Sequence, residues 1–432
     1  MKSGFLELLR SNRNYRYTWM GQVVSEIGDH FNNIAVFSLA VERTGSGLVV
    51  TGIMLARGLA VVLAGPLAGV LLDRMDRKRL MIASDLVRAG LAALFLLTVR
   101  HPEPWLLYLL SGLLMFASPF FTSGRAALLP VIATREELHT ANALTQTTQW
   151  ATLTIGTMTA GWSAAALGYH WAFLINAFSF VVSACCIARL RAPRGRFRAR
   201  STALTETEVL RPWQEYREGL RYMRASPLIF GIALLHVGWA SGGGAAQILF
   251  SLFGEIVFRR GAAGIGVIWG FAGLGLLAGG AIGHRLGKRL SFAGYKRTVA
   301  LCYLIHGGAY VVFSLMERFW AALLFIALSR AAVGVTSVLN YSQLLRHVSD
   351  AFRGRVFATI ESLTWATMMA SMLGAGLAST LTDPRTIGVC SGLLSSSTAL
   401  FWLWADRTGR LPEPPEVGVQ PEEVEVHGEP TV

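Results

Sequence analysis

Charge is scarce in this chain. Asp, Glu, Lys and Arg together make up 15% of its 432 residues, where a soluble domain carries about 25%. With 53% hydrophobic residues and a mean hydropathy of +0.47, the deficit excludes an ordinary water-soluble globule. Cysteine is scarcer still. Cys185, Cys186, Cys302 and Cys390 all fall inside apolar runs, with no metal spacing and no disulfide framework, so packing is their expected role. No nucleotide-binding loop is visible, because Gly242-Gly243-Gly244 sits inside an apolar run without the Lys-Ser/Thr such a loop needs. No catalytic triad or metal cluster stands out, so neither an enzyme nor a cofactor is expected. No cleavable signal is visible, and none is expected, because the first apolar run follows a basic segment and is too long for a signal core.

What is there is length in apolar blocks. A membrane span needs about 20 residues, and twelve spans fit, at 17–41, 48–72, 80–99, 104–124, 142–167, 171–189, 227–252, 263–283, 298–316, 319–342, 356–380 and 386–405. The net charge of +13 points to the bilayer rather than to nucleic acid, because the basic residues lie in the loops between spans. With the N-terminus inside, the outside loops hold only Arg43, Arg100, Arg259, Arg260, Arg318 and Arg385, and Arg57, Arg88 and Arg330 lie within spans. The remainder of the 39 Lys and Arg fall on the other side, which places both termini in the cytoplasm. The division expected is an N-terminal six-helix bundle over 1–189, a basic linker over 190–225, a C-terminal six-helix bundle over 226–405 and an acidic, disordered tail over 406–432. Aromatics and cations interleave from Arg211 to Arg224, as in a helix lying on the inner leaflet. Phe5-Leu6-Glu7-Leu8-Leu9-Arg10 reads as a second interfacial helix.

One stretch organises the rest. Gly69-Val70-Leu71-Leu72-Asp73-Arg74-Met75-Asp76-Arg77-Lys78-Arg79 packs a burst of charge between two membrane-length runs. It resembles the loop between helices 2 and 3 of the major facilitator superfamily, with Asp76 where the second glycine of that pattern is usual. The junction Gly280-Ala281-Ile282-Gly283-His284-Arg285-Leu286-Gly287-Lys288-Arg289 overlays it, Gly69 on Gly280 and Arg74 on Arg285. Such a repeat is what two related six-helix halves with a midplane substrate path would leave. Further stretches resemble the branch that contains enterobactin exporters and macrolide-efflux proteins. They are Asn12-Arg13-Asn14-Tyr15-Arg16 with Ser25-Glu26-Ile27-Gly28-Asp29, the run Phe120 to Pro130 with Ala141-Asn142-Ala143-Leu144, Glu218-Gly219-Leu220-Arg221-Tyr222, and Asp350 to Phe357. Asp76 is also usual for this branch. The resemblance departs in span 5, where antiporters carry a glycine–proline pattern and this chain has Thr157 between Gly156 and Gly161.

Charge inside a span is costly and marks candidate function. Glu26 and Asp29 share a face of span 1, and Arg57 lies at similar depth in span 2. The group is either a structural ion pair or a proton site in which Asp29 titrates as Arg57 or a cationic substrate approaches. Asn32, Asn33, Gln149, His236, Trp239, Arg330 and Trp365 are candidates to line a substrate cavity, Arg330 by meeting an anionic group or an acid across it. His306 reads as hydrogen-bonded packing. Asp73, Asp85, Arg88, Arg125 and Glu361 are expected to gather as a cytoplasmic charge cluster, with Gly69, Arg74 and Arg77 in the loop. Asp73 is expected to meet the start of span 11 near Arg353 and Arg355, where a helix N-terminus favours an anion; the superfamily resemblance implies this inner-gate role.

The expectation is therefore an all-α integral membrane protein of twelve transmembrane helices in two pseudo-symmetric bundles. It would work as a monomeric secondary transporter in a prokaryotic cytoplasmic membrane, exporting a small amphiphile (a drug, a macrolide or a siderophore) against protons. A lysophospholipid flippase on the same fold and a non-transporting scaffold or sensor are the rivals.

Overall fold

The structure is a computed structural model that describes residues 4–101, 103–191, 197 and 212–414. Among these residues it is helical throughout, with no strand. The short α1 (Phe5–Ser11) precedes α2 (Arg13–Thr44), α3 (Gly47–Arg74), α4 (Arg77–Leu94) with its continuation α5 (Leu96–Arg100), α6 (Pro104–Ile132), α7 (Arg135–Leu167) and α8 (Tyr169–Ala188). The amphipathic α9 (Pro212–Ala225) leads into α10 (Pro227–Leu252), which a π-turn extends through Phe253–Val257. The second half continues with α11 (Gly261–Gly287), α12 (Phe292–Leu315), α13 (Phe319–His347), α14 (Asp350–Ala378) and α15 (Pro384–Arg407). Twelve of these are long enough to be the expected spans.

Ten are also apolar enough to cross a membrane by composition. The other two, α2 and α7, are the polar pair: α2 carries Gln22, Glu26, Asp29, His30, Asn32 and Asn33, and α7 a run of threonines. Both lie in the middle of the molecule, packed on each other and on α8 or α11. Polar side chains are kept off the lipid by packing them inward, so the two least hydrophobic helices lie at the centre of the bundle.

Helix ends follow from local chemistry. Asn12 caps α2, its side chain accepting from the Tyr15 amide at 2.9 Å, and its amide group donates across to Glu137 of α7. Thr134 and Glu137 form a reciprocal capping box at the start of α7. Gly45 and Gly168 take left-handed backbone angles (φ 62 and 86) where α2 and α7 stop. On the opposite flank, α7 runs unbroken from Arg135 to Leu167. The missing proline of span 5 thus leaves a continuous helix, with the Thr157 hydroxyl turned back onto the Leu153 carbonyl at 2.6 Å.

The six helices of each half pack among themselves, and the halves meet along two seams, α7 on α11 and α3 on α14. Glycine makes the first seam close. A Cβ built on Gly161 would lie 2.6 Å from the Ala262 carbonyl oxygen and 2.9 Å from the Gly266 Cα, all backbone. Lower on the same seam, Gly280 faces the Trp150 ring. The α3–α14 seam is closed only at the end of the molecule away from the termini. There Gly47 faces Ser379 and Leu252, and the Thr51 hydroxyl reaches the Met372 carbonyl at 3.4 Å. Toward the terminus-bearing face the same two helices part. A Cβ on Gly65 or Gly69 meets nothing within 4 Å, and Glu361 and Trp365 of α14 are exposed.

The linker is anchored at both described ends. Phe197 is buried against Met81, Leu128 and Ile187 of the first half, and its amide donates to Asp76 Oδ2 at 3.0 Å. In the second half α9 packs on the start of α14. Tyr222 stacks on Phe352 with centroids 4.6 Å apart, and Arg355 donates to Glu218 at 2.7 Å. Two stretches that the sequence singles out separately, 218–222 and 350–357, are thus one contact. Most of the arginine-rich linker stretch lies outside the described residues, as does the tail from 415. The tail begins later than 406: α15 continues to Arg407, and Leu411 is buried with its carbonyl accepting from Lys296 at 3.2 Å.

Candidate functional site

The polar helix α2 meets α3, α7, α10 and α11 around a cavity of about 200 Å³ lying between the two halves. His30, Asn33, Phe37, Arg57 and Thr157 line it from the first half, and Gln247 and Trp269 from the second. Arg57 is 8% exposed, so its charge is held out of bulk water. One guanidinium nitrogen donates to Asn33 Oδ1 at 2.7 Å, and the group lies over the Phe37 ring, 5.0 Å from its centroid. Its Nε and second terminal nitrogen have no partner among the described residues. Gly156 seats the histidine: a Cβ there would lie 2.8 Å from His30 Cδ2, so only glycine lets α7 come this close to the ring.

The opposite wall repeats the theme. Trp269 packs edge-on against Phe250 with centroids 4.9 Å apart. Phe250 in turn lies under the buried guanidinium of Arg330, 5.2 Å from its centroid. A cation held over an aromatic face is stabilised without a counter-ion, and each half carries one. Arg330 meets no carboxylate among the described residues, so the expected acid across the cavity is not at its side.

The charges expected to work with Arg57 separate. Asp29 is within electrostatic range of Arg88, Glu26, Arg57 and Asp85, but it forms no ion pair with Arg57, whose one side-chain hydrogen bond among the described residues goes to Asn33 on the next turn. Glu26 turns toward α7 and accepts from Gln22 at 2.8 Å and Thr152 at 2.9 Å, with Arg125 at 3.9 Å. Glu26 is thus satisfied, and Asp29 is the acid of the pair with no hydrogen bond among the described residues.

The expected cytoplasmic cluster is not assembled. Asp85 and Arg88 pair with each other inside the first bundle, with the guanidinium between Phe121 and Phe180 at 4.8 and 4.3 Å from their centroids. This pair touches no residue of the second half, so it joins α4 to α6 and α8 rather than half to half. Arg125 lies near Glu26, and Glu361 stands exposed on α14. The Asp73 side chain lies outside the described side chains. Its expected partner Arg355 is taken by Glu218, and Arg353 donates to the Leu345 carbonyl at 3.3 Å. Arg77 donates to the Ala127 carbonyl at 2.8 Å, holding the loop to α6, while Arg74 is exposed and Gly69 faces open space. On this face a Cβ on Gly65 or Gly69 of α3 meets nothing within 4 Å, so α14 does not pack against α3 there.

Among the remaining candidates, Asn32 is fully buried and does not line the cavity. His236 is tied to the Ile232 carbonyl of its own helix at 2.8 Å, and His306 to Ser329 Oγ at 2.8 Å, as packing predicts. Gln149 is half-buried outside the cavity, Trp239 packs between the two apolar cores, and Trp365 is half exposed on the parted face.

Residues that no motif flags complete the picture. His30 and Trp269 line the cavity; Trp269 stands in a plain apolar stretch, and His30 follows Asp29 in the polar run of α2. At the far end, Ser38 of α2 donates to Glu255 of the π-turn at 3.1 Å and lies 3.0 Å from the Tyr169 hydroxyl, which donates to Glu42 at 2.5 Å. This network crosses between the halves. Its sequence signal was a glutamate next to a span end, which by itself reads as an ordinary loop acid.

Two six-helix bundles that enclose a polar midplane cavity, sealed at one end and parted at the other, define a membrane transporter of the alternating-access kind. The chain belongs to the Major Facilitator Superfamily, whose family model matches residues 18–363. It is 24% identical over 391 residues to macrolide efflux protein A of Streptococcus pyogenes, covering 89% of this chain and 92% of that one. It is 26% identical over 429 residues to the enterobactin exporter EntS of Escherichia coli, covering 95% and 97%. A solved bacterial homologue of the iron transporter ferroportin in its inward-facing state superposes with a TM-score of 0.67 at 18% identity, over 90% of this chain and 98% of that one.

Proposed function

We propose that this transporter is a proton-coupled exporter of small amphiphilic molecules, working by rocking of its two bundles about the central cavity. The observation that carries the reading is the cavity itself: polar and aromatic, set between the halves, with an unpaired carboxylate, Asp29, within electrostatic range of the arginine that lines it. A site where proton and substrate occupancy influence the same charge is what coupling requires. The basic face, which carries the linker, is the cytoplasmic one by the distribution of Lys and Arg. The parted α3–α14 seam is then a cytoplasmic opening, and Asp73 with Arg355 an inner gate that forms when the bundles rock. Similarity to two exporters supports outward transport of an amphiphile. The exposed aliphatic row Val61, Val62, Leu63, Leu67 and Val70 on α3 beside that opening favours one second reading, a flippase admitting a lysophospholipid sideways.

The test is transport in proteoliposomes with an imposed pH gradient, using fluorescent amphiphiles, one ferric-chelating siderophore and one lysophospholipid, with Asp29→Asn beside the wild type. Accumulation that follows the gradient and is lost in the variant supports the exporter. Gradient-independent movement of the lysophospholipid alone would replace it with the flippase.

A further inference from the structure

We infer that the central cavity is an oxyanion site, and that Arg57 selects substrates carrying a carboxylate, sulfonate, phosphate or ionised phenol beside a flat ring over substrates carrying an amine. The inference rests on the exporter reading for the cavity's purpose, but on the geometry for its selectivity.

Four observations carry it. Arg57 lines the cavity while more than nine-tenths buried, and its Nε and second terminal nitrogen have no partner among the described residues. An arginine spends donors in fixed directions, and a buried donor left unpaired costs free energy until an acceptor arrives. The lining contains no carboxylate to neutralise the arginine or attract a cation. Asp29 is nearby but neither lines the cavity nor pairs with Arg57. Gln247 stands across the cavity as a further donor from the second half, so an acceptor held by Arg57 can be reached from both bundles. Finally, with Phe37 backing the guanidinium, Trp269 opposite leaves a flat apolar surface on which a ring can lie. Arg330 behind Phe250 adds a second positive charge on the far wall. A cationic amphiphile entering here would meet the buried guanidinium of Arg57, with a second behind Phe250, and no carboxylate in the lining.

At about 200 Å³ the cavity is smaller than the roughly 300–1,000 Å³ usual for whole ligands. It admits the acidic head of a substrate, with the remainder extending toward the parted seam. That size separates a ring-borne anion from the bulky head of a zwitterionic lipid.

The experiment uses two probes that share a fluorophore and differ in charge, dansylglycine (anionic) and dansylcadaverine (cationic), titrated against the purified full chain in lipid nanodiscs. Dansylglycine is expected to bind roughly tenfold more tightly, the ratio one charge-assisted hydrogen bond supplies. Arg57→Gln should abolish the preference, and Arg57→Lys, which keeps the charge without the fork, should retain part of it. Trp269→Leu should weaken dansylglycine without reversing the preference, and it keeps the question open to test if Arg57→Gln fails to fold. Equal binding of the probes, tighter binding of dansylcadaverine, no binding of dansylglycine, or an unchanged preference in Arg57→Gln would each overturn the site. The exporter reading fails separately: a chain that binds dansylglycine through Arg57 but moves no compound across a proteoliposome membrane keeps the site and loses the export.

Discussion

Asp29 and Asp85 are both carboxylates inside membrane spans, and their surroundings set them apart. Asp85 is fully buried and paired to Arg88, whose guanidinium is itself clamped between Phe121 and Phe180. Removing one member of a buried pair leaves the other uncompensated, at a cost of about 3–5 kcal/mol, whereas replacing both with apolar side chains can be neutral. Asp85→Asn is therefore expected to lower the unfolding temperature and the yield of folded protein, and Asp85→Leu with Arg88→Met to recover much of both, as read by thermal unfolding in detergent. A double variant no better than the single one would assign the pair a role other than packing. Asp29→Asn, at a site with no hydrogen bond to lose, should leave the unfolding temperature within a few degrees of wild type. The sequence flags all of these residues equally, because charge in an apolar run is visible and its partner is not. Asp85 and Arg88 are three apart and could be paired on paper. That Asn33 rather than Asp29 takes Arg57, and that His30 enters the cavity, depends on helix rotation and on Gly156 across the gap, neither of which is written in either stretch alone.

At the scale of helices, glycine decides how the halves meet. The small-residue surface at Gly156 and Gly161 is readable as a close-packing signal, and the structure gives Gly161 the start of α11 as its partner and Gly156 the His30 ring of α2. Because Gly161 faces only backbone of Ala262 and Gly266, nothing at this point can swing aside for a larger residue. Gly161→Val is expected to cost about 1–3 kcal/mol of stability and to reduce transport severalfold. Gly374→Val, on α14 where a Cβ meets nothing within 4 Å, should do neither by packing and serves as the control. Equal effects in the two variants, by unfolding temperature and proteoliposome flux, would argue against a tight seam. Ten of the spans were legible because long apolar runs announce themselves, whereas α2 and α7 are long but polar. Only which seams are close and which part was hidden, since glycine occurs in both: Gly161 is clasped, while Gly65 and Gly69 stand free. Asp76 shows the same limit. Its departure from the loop pattern is plain in the sequence, but its work, capping α4 through the Arg79 amide and holding the linker at Phe197, needs the fold.

For the whole molecule, the arrangement has a direction. Far from the termini, Thr51, Gly47, Met372 and Ser379 close the α3–α14 seam, and the Ser38–Glu255 bond with Tyr169 and Glu42 ties the first half to the π-turn of the second. Near the termini that seam is parted, and Arg355 donates to Glu218 of α9. A cysteine placed on each end reports which end is open. With Cys185 and Cys390, the two exposed native cysteines, replaced by serine, Gly69→Cys should react with a membrane-impermeant maleimide added from the basic face, in inside-out vesicles. Thr51→Cys, which is 1% exposed as threonine, should stay unlabelled from the other face in right-side-out vesicles. Glu255→Gln weakens the acceptor for Ser38 and should raise labelling of Thr51→Cys, since a charged acceptor makes the stronger hydrogen bond and its loss shifts the population toward opening at that end. Labelling of Thr51→Cys that is fast in the unmodified background, with Gly69→Cys protected, would mean that the resting protein faces the other way. If both patterns hold and Glu255→Gln changes neither, the far end is sealed by the glycine seams alone, and the four-residue network is a consequence of closure rather than one of its causes.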